Sequence, residues 1–337
     1  MTIYDDIHDI QTFQKKKDVN KDIPLEDDDI LYIVISVFSP YGRDIRTKLA
    51  QEFIERIERL QEQGEPVQIC VVELLYKEQN NFLKVKNPSF HLQIQYKHNI
   101  YLFNKENLIN VGIQKLLPSN WKWMAWIDAD IEMTDPKWVR KTIQLFKSGN
   151  YDILQLFSIC RYLSSDNIPF EYFYSSIRLL HSPILLKDKK YRHPGFAWAC
   201  SRKAYEEMNG LFEYAIVGGG DFIMEACFTN RFHIVEKKFK ENEKFLNECR
   251  EFYKKVKDFS IYYLNTIIQH YYHGERKNRM YVDRNEIILK YQFNPKKDMI
   301  RPFENLGIDI LVPTMEFYEL IESKINSYFE SRKEIKK

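Results

Sequence analysis

The 337-residue chain is short of the features that mark specialised classes of protein. Cysteine is scarce: Cys70, Cys160, Cys200, Cys227 and Cys249 are odd in number, widely spaced and without a C-x-x-C pair. That pattern excludes a disulfide framework and a zinc knuckle, and predicts buried free thiols in a reducing compartment. Net charge is nearly absent, with 50 Lys and Arg against 48 Asp and Glu, a formal +2. No global basic field makes a nucleic acid the expected partner. Long apolar runs are missing as well. The longest, ILYIVISVF at 30–38, is about half a membrane span. The N-terminal MTIYDDIHDIQTF has neither the basic nor the apolar region of a signal peptide. The chain is therefore expected to be soluble, unsecreted and cytoplasmic. There is no internal repeat and no low-complexity segment. The remaining composition, 44% hydrophobic and 29% charged, is a globular balance that excludes wholesale disorder.

Residues 1–28 are polar and charge-blocked (KKKDVNKD, LEDDD) and read as a flexible lead-in. ILYIVISVF then has the length and β-branched content of a buried parallel strand. Residues 44–63 carry Ile45, Leu49, Phe53, Ile57 and Leu60 on one helical face, with Gly64 as the stop. VQICVVELLY at 67–76 is a second buried strand, completing a β-α-β unit. The alternation continues with a helix over 104–117, a strand at 122–127, and a helix that opens at Asp135-Pro136 and closes at Gly149. The strand YDILQLFSI follows. The prediction is an α/β fold, a mostly parallel sheet flanked by helices, with reactive groups at the carboxyl ends of strands. Residues 236–257 read as a solvated helix, and the tail, 311–337, as a C-terminal helix on the surface.

Three segments carry candidate chemistry. WIDADIEM delivers Asp128 and Asp130 to the exit of an apolar strand. Two carboxylates at i and i+2 are costly to hold together without a cation, and a hard divalent ion, Mn²⁺ or Mg²⁺, relieves that cost. Gly218-Gly219-Gly220-Asp221 lets the backbone approach a ligand closely or adopt positive φ, with an acid at the mouth. It is neither a P-loop nor a dinucleotide fingerprint. His270-Tyr-Tyr-His273-Gly274 offers a histidine ligand to an oxygen-rich metal site, and the basic residues Arg276, Lys277, Arg279 and Arg284 beside it suit a diphosphate. Each has a blander alternative: a polar turn, a glycine turn with a capping Asp, and a basic surface loop.

Taken together, FNKENLINVGIQKLL, WIDADIEM, GFAWACSRKAYEEMNGLFEYAIVGGGD and HYYHGERKNRMYVDR resemble, in that order, the metal-dependent glycosyltransferases of the GT-A fold, in particular the beta-1,4-galactosyltransferase and polypeptide N-acetylgalactosaminyltransferase group. The resemblance covers about residues 30–300. It implies a single Rossmann-like GT-A domain over 29–310, with the nucleotide-sugar donor half at 29–160 and the acceptor half and metal-ligand segment at 161–310. It implies metal ligation by Asp130, Asp128 and His273, with His270 in reserve. The nucleotide-sugar donor, UDP-linked, would be contacted by Arg43, Glu73, Phe103, Asn104, Lys105, Asp128, Arg276 and Arg279. Asp221, with Glu225 in reserve, would be the general base of an inverting transfer to a hydroxyl of a glycan, glycolipid or protein. Phe196, Trp198, Tyr214, Gly219 and Gly220 would line the acceptor. The chain departs from the galactosyltransferases at Gly218, where they have Trp, and in carrying one acid rather than a run after the glycines. The rival readings are a metal-dependent phosphoryl-transfer enzyme or nuclease using Asp128 and Asp130, a catalytically dead sugar-binding protein, and a retaining glycosyltransferase of the same fold.

Overall fold

The computed structural model describes residues 24–40, 44–76, 79, 83–96, 100–182, 191–279, 283–302 and 309–332. Strand β1 (Leu31–Phe38) pairs in parallel with β2 (Val67–Tyr76) across helix α1 (Asp44–Glu62), and β2 pairs in parallel with β3 (His91–Tyr96). After α2 (Lys105–Leu116), β4 (Trp123–Ile127) joins the other side of β1, again in parallel. Beyond β4 come the short β5 (Ile131–Met133), α3 (Trp138–Lys147), β6 (Ile153–Gln155), β7 (Ile159–Leu163), β8 (Pro169–Ser175), α4 (Ser176–His181), β9 (Arg192–His193) and β10 (Ala197–Ser201). Helices α5 (Arg202–Met208), α6 (Gly220–Phe228), α7 (His233–Phe239) and α8 (Glu243–Val256) precede β11 (Ile261–Tyr263) and β12 (Ile267–His270). The chain closes with α9 (Glu286–Lys290), α10 (Pro295–Asp298), the pair β13 (Met299–Ile300) and β14 (Val312–Pro313), and α11 (Met315–Ser331).

The main sheet has the order β11-β6-β10-β4-β1-β2-β3 and is parallel except at β10. The expected α/β architecture is thus present: a mostly parallel sheet flanked by helices, with a helix at the C-terminal end. Its central strands are apolar throughout because both faces are covered. Alternation sorts them into two cores. Tyr32, Val34, Cys70 and Val72 face α2, α6, α8 and α11, whereas Leu31, Ile33, Ile69 and Val71 face α1 and α3. Helix α2 lies so close to the sheet that a Cβ on Gly112 would stand 2.6 Å from Val72 and 2.9 Å from Val34.

Four expectations change in detail. The run at 151–159 is not one strand: β6 stays in the main sheet, and β7 enters a second sheet of order β5-β12-β7-β8-β9. The crossing is held by backbone bonds from Leu156 to Ala197 and from Ser158 to Thr266, partners far away in sequence. The helix expected from Asp135 starts at Trp138, because the Asp135 carboxylate accepts the Lys137 N–H and forms a turn first. The helix expected over 236–257 is two helices. Asn242 breaks it by capping α8 and donating its amide to Ile288 and Phe293 carbonyls, and α8 buries Phe245, Leu246, Cys249, Phe252 and Val256. Helix α11, expected on the surface, buries Phe317, Tyr318, Ile321, Ile325, Tyr328 and Phe329. All five cysteines are free and buried. Among the described residues no helix is long and apolar enough to cross a membrane.

Candidate active site

The carboxyl ends of β1, β4 and β12 open on a cavity of about 410 Å³, lined among others by Phe38, Arg46, Phe103, Lys105, Asp128, Asp130, Phe196, Asp221, His270 and Arg279. This is where a parallel α/β sheet presents side chains that its own hydrogen bonding does not use. The Asp128 N–H is fixed by the Phe196 carbonyl at 2.7 Å. Phe196 itself sits at φ 79, a conformation costing a bulky residue about 1–3 kcal/mol. Its ring stacks on His193 at 3.7 Å and 8°, so packing holds the turn that aims the acidic pair.

The two acids of that pair have different partners. Asp130 Oδ2 is 2.9 Å from His273 Nε2, and its Oδ1 is 3.9 Å from His270 Nε2. One ligand atom from each of Asp130, His270 and His273 falls within 4.8 Å of the others. Asp130 Oδ1 and His270 Nδ1 are buried without a hydrogen-bond partner. Burial pushes the His270 imidazole well below its usual range; it works against the Asp130 carboxylate, but His273, which also hydrogen-bonds it, and Arg46 outweigh it and hold Asp130 well below the usual value. An ionised carboxylate, a neutral imidazole and unsatisfied buried donor atoms are what a metal-ligand set requires. The donor set therefore fits a divalent ion, and it includes His270 alongside His273.

Asp128 lies outside that cluster. Its Oδ1 is 2.6 Å from Lys105 Nζ, and Lys105 also donates to Asp221 Oδ2 at 2.9 Å. Lys105 thus bridges the strand-exit acid to the acid after the glycine run. Burial opposes its charge, but Asp128 and Asp221 carry the ammonium well above its ordinary value. Burial lifts Asp128 to about 6 and the neighbouring Glu106 to about 8. Asp221 Oδ1 is buried with no hydrogen-bond partner. The glycines are sterically required here. Gly218 and Gly219 take φ 82 and 93, and a Cβ on Gly220 would stand 2.3 Å from Glu106 Oε1.

Other expected site residues are distributed as follows. Phe103, Phe196, Gly219 and Arg279 line the cavity, with Arg279 Nη2 at 2.6 Å from His273 Nε2. Glu73 is buried in β2 and accepts from Gln93, with the His91 ring 3.1 Å away; it is not on the wall. Asn104 is buried ahead of α2. Trp198 stacks on Trp126 in the core, and Tyr214 packs edge-on to Phe212. Glu225 is fully buried, held by Arg192 at 2.6 Å and by Arg231, and does not open on the cavity. Arg43 lies outside the described residues, and of Arg276 only the backbone is described.

Arg284, from the basic run after His273, is on the wall as well, together with Arg46, Glu106, Tyr162, His193, Lys238, Tyr328 and Arg332, which the sequence did not single out. Tyr328 Oη accepts from Arg284 at 3.1 Å and Arg332 at 3.3 Å. Burial opposes its ionisation, yet Arg332 and Arg284 bring the phenol below its ordinary value. A clue was present in the tail: Tyr328 and Arg332 stand four apart, on one face of a helix.

No family model matches the sequence, and no curated protein matches it. Solved structures do show similarity. The catalytic domain of Drosophila beta1,4-galactosyltransferase 7 in complex with xylobiose is 13% identical, with 60% of each chain covered and a TM-score of 0.29. A mutant of the same enzyme in complex with manganese, UDP-Gal and xylobiose is 13% identical, with 61% of each chain covered and a TM-score of 0.30. Glucosyl-3-phosphoglycerate synthase from Mycobacterium tuberculosis, in complex with Mn²⁺, UDP-glucose and phosphoglyceric acid, is 10% identical. There 85% of this chain and 87% of that one are covered, with a TM-score of 0.37. The chain thus spans about 60% of the length of the galactosyltransferase chains it resembles.

Proposed function

We propose that the protein is a GT-A-type glycosyltransferase that moves a sugar from a UDP-linked donor to an acceptor hydroxyl, dependent on Mn²⁺ or Mg²⁺, with inversion at the anomeric carbon. The observation that carries this reading is the Asp130–His270–His273 cluster, whose Asp130 and His270 line the same cavity as an acid held by Lys105 behind a glycine turn. Asp130, His270 and His273 would hold the ion, which when bound supplies charge stabilisation to the leaving diphosphate. Arg46 and Arg279, both beside His273, add positive charge at the same place. Phe103 offers a flat apolar surface to the nucleotide. Lys105 fixes Asp221 Oδ2 and leaves Oδ1 to accept the proton of the attacking hydroxyl. Phe196, Gly219 and Gly220 belong to the acceptor side. Residues 29–310 form the catalytic domain, and the acceptor is a glycan, a glycolipid or a protein. The five buried thiols suit a cytoplasmic setting.

Thermal-shift titrations of UDP with and without Mn²⁺, and of a DNA oligonucleotide, test the reading. UDP is expected to stabilise the wild type only with Mn²⁺, and not to stabilise Asp130→Ala. Equal stabilisation of Asp130→Ala, or binding of the oligonucleotide in place of UDP, overturns it.

A further inference from the structure

The resemblance to glycosyltransferases runs to about residue 300, and the last helix, α11, lies beyond it. Its end nevertheless forms part of the cavity: Tyr328 and Arg332 are on the wall, together with Arg46 of α1, Phe103 and Arg284. Tyr328 is buried, and its Oη accepts from Arg284 Nη1 at 3.1 Å and from Arg332 Nη1 at 3.3 Å. One phenol oxygen therefore directs two guanidinium groups from separate segments. Each is a rigid planar fork of five donors, so fixing one N–H fixes where the others point.

The neighbours of this point form a continuous wall. The Arg332 guanidinium lies over the Phe103 ring, 5.6 Å from its centroid. Phe103 is itself held by its N–H on the Ile216 carbonyl and by Phe38 edge-on at 5.3 Å. Arg46 is close enough to act on the same phenol, and its Nη2 is 3.4 Å from His273 Nδ1. Ser331 Oγ is 3.2 Å from the carbonyl oxygen of Asn278, next to Arg279. The end of α11 thus joins an apolar ring, Phe103, to the arginines beside His273.

We propose that Tyr328 is a positioning residue for the donor diphosphate: its hydroxyl aims the Arg284 and Arg332 forks at the phosphates of UDP, and α11 is the element that carries it. A diphosphate offers several oxyanions to several fixed donors, and guanidinium groups already oriented bind it without first ordering two long side chains. The proposal rests on the glycosyl-transfer reading for the identity of the anion.

Titrations of UDP with Mn²⁺ by calorimetry, and of uridine by saturation-transfer NMR, test it. Tyr328→Phe is expected to weaken UDP by about 5- to 30-fold and uridine by less than about twofold. Arg332→Gln is expected to do the same, and decides the matter alone if Tyr328→Phe does not fold. A merely structural role for Tyr328 predicts equal losses for the two ligands or none. The proposal is overturned if the folded variants bind UDP as well as the wild type, or if uridine affinity falls as far as UDP affinity. Failure of the wild type to bind UDP with Mn²⁺ sinks the glycosyl-transfer reading instead. Inorganic pyrophosphate titrated in EDTA then decides the rest: binding that Tyr328→Phe weakens keeps the positioning role, and no binding, or binding that Tyr328→Phe leaves unchanged, ends it.

Discussion

Replacing Gly220 by alanine separates the two reasons for glycine in the 218–220 run. Gly220 is helical, so its backbone accepts alanine, but the new Cβ would meet Glu106 Oε1 at 2.3 Å, Cδ at 2.5 Å and Oε2 at 2.9 Å. Glu106 is 2% exposed and borders only the cavity, so its carboxyl group can make room only by leaving its packed position for the cavity wall. Overpacking of this kind costs about 1–3 kcal/mol, and the gain from alanine over glycine in a helix offsets about 0.5–1 kcal/mol. The net expectation is a loss of about 1–2 kcal/mol. Gly219 is the opposite case. The nearest atom to its would-be Cβ is Arg284 Nη2 at 3.8 Å, an ordinary contact, but φ 93 strains any L-residue by about 1–2 kcal/mol. Single losses of similar size thus have different origins, and a double-mutant cycle with Glu106→Ala tells them apart. In urea unfolding at constant m, Glu106→Ala is expected to relieve most of the Gly220→Ala penalty and none of the Gly219→Ala penalty. A coupling energy below about 0.5 kcal/mol at Gly220, or the same coupling at both positions, would refute the packing argument.

Two further outcomes follow from the site. Asp221→Asn is expected to keep UDP affinity within a few-fold while turnover falls by roughly 10²–10⁴. An active Asp221→Asn enzyme would reduce Asp221 to a structural partner of Lys105. Glu225→Gln, which weakens a buried acid clamped by Arg192 and Arg231, is expected to cost about 3–5 kcal/mol of stability, measured by denaturant unfolding. Unchanged stability with lost turnover would instead move the base to Glu225.

The strands and helices around the site were legible because each depends on neighbours in the chain. Continuous β-branched runs at 31–38 and 67–76, the apolar stripe of α1, and Asp128 and Asp130 at a strand exit are all local patterns. The positive φ of Gly218 and Gly219 was legible for the same reason, since no other residue type adopts it at so little cost. Which residue faces which was not legible. Asp128 and Asp130 differ by two positions, yet one meets Lys105 and the other two histidines, because the chain leaves β4 at Ile127 and turns at 129–130, where the strand rule that i and i+2 share a face no longer holds. Glu225, one turn beyond Asp221 and held in reserve as the base, lies one turn deeper along α6, where Arg192 and Arg231 clamp it.

The sequence by itself determined the α/β class, the strands β1, β2 and β4 but not β3 (His91–Tyr96) between them, and the kinds of side chain available at their ends. Tertiary structure alone decided the sheet order, the crossing of 151–159 from one sheet to the other, and the cationic wall drawn from α1, α7, the 283–285 turn and the end of α11. The physical reason is separation along the chain. Periodicity records which face of an element is buried, but not against what. A cavity whose walls stand up to 296 positions apart, from Ser36 to Arg332, exists only once those faces have found one another.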